Sequence, residues 1–586
     1  MNHRDNYWNR LYAKRLSRRT ALGSAALTVT GAAGLLTVGC GGDDDDSGDP
    51  KGGSSPQPTA AVSTPRPAVT VTEEAKSGGR LTWTALPTFT YQHLDPHATI
   101  YTTAFTFPTH SLLAYMDDTN PDGSKWEVKA DAAESWETPD ATTYIFKLRS
   151  NLKFHNLPPA NGRNATSEDV KFSLDRIGLE DPHFFRQNDF KAFGMEVTTP
   201  DASTVVIKFP KPMAAFWNRL TTPGTVIMPT EIGTDLIVST DPLSGTGPFM
   251  HKEFTLDRSM TLAKNPEYSL AGQPYLDEIL ALPGTATSES RMTQFKAKQT
   301  DTFTAGTVDQ WNELKSLDGV VTDRRVGVQS QWVVFNTQKA PFDDPRVRKA
   351  LSLVLPRQEI VDIAHRGEED GVMQGPGGLN PWVHGNATFA YDELKKRPGY
   401  RTGSERDADI TEAKKLLEAA GATSYSGTLK YTSQTAAWPF ADTLATLLQE
   451  AFNVVGFDLQ LQPFSYADTL VNLPTLDWDI YHTPQYANGH DPDDYLDIYF
   501  TKAATRNYSK WQNDEYNALY NKQNEAATAD ERNTIIKQML ELLDTETPRA
   551  SSTIWTNKFL WWDRIQGYHG TTQSGNIQTQ NIWVKA

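Results

Sequence analysis

Few combinations of reactive side chains in this sequence could carry out covalent chemistry. The chain of 586 residues has one cysteine, Cys40. It lies where an N-terminal leader ends, so the body has no thiol nucleophile. The body has no H-E-x-x-H, G-x-S-x-G, G-x-x-x-x-G-K-S/T or G-x-G-x-x-G run, which removes the commonest zinc-protease, serine-hydrolase, phosphate-loop and dinucleotide signatures. Carboxylates are plentiful, and two could flank a glycosidic bond, but no pair stands out. The tightest cluster is His490-Asp491-Pro492-Asp493-Asp494. It reads either as a metal site or as an acidic loop capping a helix near Asp493. Its spacing fits no EF-hand loop, so the capping loop is the expectation. No catalytic residue, metal or cofactor is assigned.

The cysteine has a different use. Basic residues, among them Arg18 and Arg19, precede a weakly apolar run, Ala21 to Val38. A basic region, an apolar region and a small residue before a cut site make a signal peptide. The run is too poor in Leu, Ile and Phe to make a good permanent span. Ser17-Arg18-Arg19-Thr20-Ala21-Leu22 resembles a twin-arginine export signal, with Ala21 where Phe is usual. Leu36-Thr37-Val38-Gly39-Cys40 resembles a lipobox, with Thr37 where Leu is usual. That resemblance implies that Cys40 is acylated and becomes the first residue of the mature chain.

Charge and composition leave any anchoring to a lipid. The chain carries −16 overall; the leader 1–39 carries +5, which leaves −21 on the rest. Such acidity excludes a nucleic-acid partner and gives no attraction to an anionic membrane. Residues 41–77 are Gly, Ser, Pro, Thr and Asp with almost no large apolar side chains, so they cannot fold by burial. They read as a tether, with ends roughly 30–35 Å apart as a coil and about 115 Å apart when extended.

The body, 78–586, exceeds what one core supports, so two lobes or more are expected. Its pattern is mixed α/β. Leu81-Thr82-Trp83-Thr84-Ala85, Thr143 to Leu148 and Val205 to Phe209 read as strands. Thr166-Ser167-Glu168-Asp169 reads as a capping box, opening a helix that buries Val170, Leu174 and Ile177. Asp344-Pro345 reads as an N-cap and N1 pair, with Val347, Ala350, Leu351 and Val354 on the buried face. Leu444, Leu447, Leu448 and Ala451 mark a helix closed by Gly456 and followed by a strand from Phe457 to Leu461. A helical pair is expected over 514–527 and 530–544. Gly245-Thr246-Gly247-Pro248 reads as a bend between lobes or strands. Arg346, Arg348 and Lys349 read equally as a solvated helix face or a functional one.

An ordered set of segments resembles the family-5 extracellular solute-binding proteins, the oligopeptide, dipeptide and nickel receptors of ABC importers. It runs through Gly78-Gly79-Arg80-Leu81, Leu94-Asp95-Pro96-His97, Ala133-Glu134-Ser135-Trp136 and Leu152-Lys153-Phe154-His155. It continues through Gly245-Thr246-Gly247-Pro248-Phe249, Asn265-Pro266-Glu267-Tyr268 and Phe335-Asn336-Thr337. Pro341-Phe342-Asp343-Asp344, Arg346-Val347-Arg348 and Asp491-Pro492-Asp493 complete it. The resemblance implies an α/β, two-lobed periplasmic-binding-protein fold with hinged lobes, each a central β-sheet flanked by helices. Lobe I is expected over 78–336, with an extra subdomain at about 111–244. Lobe II is expected over 337–547, and 548–586 return to lobe I.

The resemblance also implies a monomer that closes on a solute, by default a peptide, and delivers it to a permease driven by a separate ATPase. It would work outside the cytoplasm, tied to the membrane only through the lipid. Ile100, Tyr101 and Thr102 would line the cleft, as would Gln485, Tyr486, Ala487 and Asn488. His482 and Trp438 are further candidates. Relatives place a Trp where Gln485 stands, and an Asp, pairing with the peptide amine, where Asn488 stands. A neutral amide cannot make that charge-assisted bond, which leaves room for an uncharged, hydroxyl-rich or blocked ligand. Alternatives are a non-peptide solute such as an oligosaccharide or metal chelate, a ligand sensor of the same fold and, least of all, a secreted hydrolase.

Overall fold

The computed structural model describes residues 74–84, 94–97, 103–120, 126–179, 190, 193–235, 237, 241, 243–255, 258–282, 288–365, 373–433, 440–487, 491–504, 506–571 and 578–585. Arg18, Arg19 and Cys40 lie outside these residues, as do Ile100, Tyr101, Thr102, Trp438 and Asn488.

The first half of the body holds two four-stranded sheets. One has the order β1 (Arg80–Thr84), β10 (Glu278–Leu282), β9 (Ser259–Lys264) and β8 (Phe249–Thr255). β1 and β10 are parallel, so the N-terminal strand is tied to one 198 residues further on, with Arg80 opposite Glu278. Leu81, Trp83, Phe249, Leu262 and Ile279 form its core. After α1 (Thr103–Thr109) and the hairpin β2 (Ala114–Asp117) with β3 (Glu127–Ala130), a second, antiparallel sheet follows. Its order is β4 (Ala133–Asp140), β5 (Thr143–Leu148), β7 (Thr204–Lys208) and β6 (Glu196–Asp201). β5 alternates as the sequence requires: Tyr144, Phe146 and Leu148 face the core. Helix α2 (Ser167–Ile177) lies on this sheet. Its capping box is present, with Asp169 receiving the Thr166 amide at 2.9 Å, and Val170, Leu174 and Ile177 are buried. Helix α3 (Phe216–Leu220) packs its Phe216 into the same core.

The second half is built on a six-stranded sheet of order β11 (Thr302–Ala305), β16 (Arg549–Trp562), β12 (Val320–Phe335), β15 (Ile480–Tyr486), β13 (Tyr425–Thr432) and β14 (Phe457–Phe464). β13, β14 and β15 are parallel. Helix α4 (Pro345–Leu353), capped by Asp344, and α5 (Ala441–Asn453) cover one face. Helices α6 (Asp493–Phe500), α7 (Asp514–Asn524) and α8 (Ala529–Glu546) cover the other. Gly456 closes α5 at φ 92°, with Thr423 O only 2.3 Å from where a Cβ would stand.

β12 and β16 serve both halves. Their first-half ends pair Val320–Val326 with Trp562–Thr556, and there β16 also carries β11 on its other edge. Their other ends pair Ser330–Val334 with Ile554–Arg549, and there β12 also pairs with β15. The register breaks between Val326 and Ser330, at the crossing. The small pair β17 (Ile565–Gln566) and β18 (Trp583–Val584) returns to the first sheet, where Ile565 and Ile582 join its core.

Two sequence readings change in detail. Gly245-Thr246-Gly247-Pro248 is a site of contact: a Cβ on Gly245 would stand 2.0 Å from Thr109 O, and one on Gly247 2.5 Å from Thr109 C and 2.6 Å from the His110 amide nitrogen. Two backbones cross here, and only hydrogen fits between them. Arg348 leaves the helix surface and is 2% exposed; it donates to the carbonyls of Phe342, Asp343 and Glu546. Arg346 stays exposed and pairs with its own cap, Asp344, at 2.6 Å.

Candidate functional site

In an open α/β sheet, solutes bind beyond the carboxyl ends of the parallel strands. In this chain those ends are Thr432, Phe464 and Tyr486. β15 therefore carries the candidate segment, and its alternation sorts the candidates. His482 stands opposite Val333 of β12 and Tyr431 of β13. It is 2% exposed and neither ring nitrogen has a hydrogen-bond partner among the described residues. Burial holds its pKa down to about 4. A neutral imidazole always carries one N–H and one lone pair, so two unmet nitrogens mark a place for a polar partner.

Gln485 and Ala487 are buried on the face toward α6. The Gln485 side-chain oxygen accepts from Arg549 Nη1. Tyr486 holds its place in the ladder opposite Gln329. Arg549 is a functional-looking residue that sequence reasoning missed. Its guanidinium lies 4.7 Å from the Tyr499 ring and 5.8 Å from Trp332, with Phe500 and Tyr508 at 5.9 Å each. Its Nη2 donates to the Arg506 carbonyl. Burial lowers its pKa to about 10, with Arg506 adding repulsion and Tyr499 and Tyr508 opposing the shift. A lone Arg after Pro548 in a Ser/Thr-rich strand gives no periodic signal of such a place.

The first-half motifs turn out to position loops. Asp95 and Arg176 of α2 form a fully buried bidentate pair at 3.0 and 2.6 Å. Asp95 also accepts from the amides of His97 and Ile237. His97 uses both nitrogens: Nε2 donates to Val226 O at 2.9 Å and Nδ1 accepts from Arg176 at 3.1 Å. His155 likewise donates to Gly247 O and accepts from the Gly245 amide. Leu94-Asp95-Pro96-His97 is thus a buried anchor leading into the segment that holds Ile100, Tyr101 and Thr102.

Among the described residues of the acidic cluster, Asp491 accepts from the Asp493 amide at 2.9 Å where a helix starts, in line with the capping reading. α6 begins at Asp493, Asp491 is held by Arg532 at 2.7 and 2.5 Å, and Asp493 by Arg219. Among the described residues no group of three or more His, Cys, Asp or Glu is placed to hold a metal, and no helix is long and apolar enough to cross a membrane.

The description of the bacterial extracellular solute-binding proteins, family 5 (middle region), matches residues 127–507. A di/tripeptide-binding protein from Pseudomonas aeruginosa is 24% identical over 484 residues, covering 78% of this chain and 86% of the relative. The fold is similar to that of a periplasmic binding protein from Helicobacter pylori solved with the peptide STSA, with a TM-score of 0.71, 20% identity and coverage of 87% and 99% of the two chains. It is equally similar to an Agrobacterium tumefaciens binding protein solved with agropinic acid, with a TM-score of 0.71, 22% identity and the same coverage.

Proposed function

This chain belongs to the bacterial extracellular solute-binding proteins of family 5, and from that premise we propose that it captures a peptide-sized solute outside the cytoplasm and delivers it to an ABC permease. The observation that carries the reading is the family match over 127–507, laid on two halves that share the long paired strands β12 and β16. Such a connection suits hinged closure around a ligand. The reaction is binding and release, with no bond made or broken.

In this reading lobe I spans 78–336 with its subdomain at about 111–244, lobe II spans 337–547, and 548–586 complete lobe I. The ligand meets Ile100, Tyr101 and Thr102 from one side and the β15 segment from the other. Tyr486, Asn488 and His482 are its polar contacts, and Trp438 a further wall. Cys40 carries the lipid, Arg18 and Arg19 address the chain for export, and 41–77 act as the leash.

A second ligand class is favoured by two features. Asn488 stands where the resemblance implies an amine-pairing aspartate, and Gln485 is engaged by a cation. Both features suit a solute without a free ammonium, such as a blocked or acidic one. A thermal-shift screen of the chain against free peptides, N-acetylated peptides, sugars and metal chelates tests the reading. A true ligand adds about 2.7 kcal/mol at a hundredfold excess over Kd. A screen in which only sugars or chelates shift the midpoint would replace the peptide assignment.

A further inference from the structure

A second contact joins the halves, apart from the crossing strands. It runs from the segment around α3 in the first half to α6 and α7 in the second. Arg219 is its centre. Its side chain is 4% exposed and that of Asp493 is 1% exposed. Arg219 Nη2 reaches Asp493, lies 2.7 Å from Asp497 and donates to the Tyr520 hydroxyl at 3.3 Å. Asn218 donates to Asp494 at 2.5 Å, and the Ala214 amide to the Asn524 carbonyl at 3.0 Å. At the rim, Lys211 pairs with Glu525 at 2.7 Å. The Arg219 guanidinium lies 4.9 Å from the ring of Phe193, which packs against the cores of both halves.

We infer that Arg219, with Asp493 and Asp497, is a clasp that sets the one alignment in which the two halves shut. A charge pair without water is poor glue, because desolvation offsets most of its attraction. Yet with one partner removed, the other is left buried and unpaired, and that is expensive. Such a contact therefore adds little to the open form, where both partners are hydrated, and makes the shut form demand one alignment. The alignment reaches the candidate segment: Asp493 lies eight residues after Gln485 and opens α6. Within α6 and its neighbours, Gln523 Nε2 also donates to Asp493 at 3.2 Å, and Arg532 fixes Asp491. The first turn of α6 is thus fixed from its own half, ready to receive Arg219 from the other.

This inference rests on the reading of the chain as a closing receptor, and its test contains no solute. The Ala214 amide reports the clasp directly, because its partner lies across the junction. Hydrogen exchange of the full chain is compared for wild type, Arg219→Gln and the exposed rim variant Lys211→Glu. Ala214 should exchange at least about tenfold faster in Arg219→Gln, and detectably faster in Lys211→Glu. The amides of β5 and β7 should keep their protection in both. Unchanged exchange at Ala214 in both variants overturns the inference. Loss of β5 and β7 protection together with Ala214 in Lys211→Glu also overturns it, because the contact would then be part of the fold. Should Arg219→Gln not fold, Lys211→Glu decides alone. A solute screen that fails leaves this result standing, and the reverse holds equally.

Discussion

Acid should unfold the first half of this protein over a pH range where most carboxylates are still ionised. Burial pushes His97, His155 and His251 down to about 4 and His110 well below its ordinary 6.5. Geometry supports the direction, since His97 and His155 each use Nδ1 as an acceptor and cannot be protonated there without losing a bond. A histidine with a lowered folded pKa binds a proton on unfolding. Its contribution is complete above the unfolded value of 6.5 and drains away as pH falls toward 4. At pH 5.5 each such residue takes up about 0.9 proton on unfolding, worth about 1.2 kcal/mol per pH unit. Asp131 works the other way. Burial raises its carboxyl to about 7, so it releases about one proton on unfolding and cancels about 1.3 kcal/mol per pH unit. The first three histidines then leave roughly 2 kcal/mol per pH unit, and His110 adds to it. The assay is urea unfolding followed by tryptophan fluorescence between pH 7.5 and 5.5, read as separate transitions if the halves unfold separately. His251→Phe should flatten the slope by about 1 kcal/mol per pH unit. A midpoint that is constant across this range, or a His251→Phe slope identical to wild type, would refute the reasoning.

Gly247→Ala should cost about 3 kcal/mol or more by urea unfolding, because the new methyl meets the backbone of Thr109 and His110 and neither can retreat; Gly233→Ala, with open space but φ 74°, should cost only about 1 kcal/mol. Asp95→Asn should lower stability by about 3–5 kcal/mol, since it takes the negative charge out of a fully buried pair with Arg176; a loss under 1 kcal/mol would mean the other groups around Arg176 suffice. Cys40→Ala should move the folded protein from the membrane fraction to the soluble one, and a mutant that still pellets after a salt wash would exclude lipid attachment there.

Local signals in the sequence predicted local structure well. The alternation of Tyr144, Phe146 and Leu148, the Thr166–Asp169 box and the Asp344-Pro345 start each depend on neighbours within a few residues, and each appears where the pattern puts it. That the body holds more than one lobe was legible in its length, but which strands build each was legible only through resemblance, because β1 pairs with a strand 198 residues away and β12 with one more than 200 away. The roles of single residues were hidden for the same reason. Gly245 and Gly247 read as a bend because the backbone they touch, Thr109, is remote in sequence. Arg348 sits in the first turn of an amphipathic helix, where an arginine is ordinarily solvated, yet its acceptors include Glu546. Arg549 and Gln485, like Arg219 and Asp493, become partners only when the chain has closed on itself.

The most direct test of the account is calorimetry of the full-length chain with the dipeptide Met-Leu and its N-acetylated form, repeated on Asn488→Asp. Solute capture at the β15 segment predicts saturable binding of at least one form, with the acetylated peptide favoured by wild type and the free amine gaining in Asn488→Asp. Binding of neither peptide, or equal affinities in all four pairings, would contradict it.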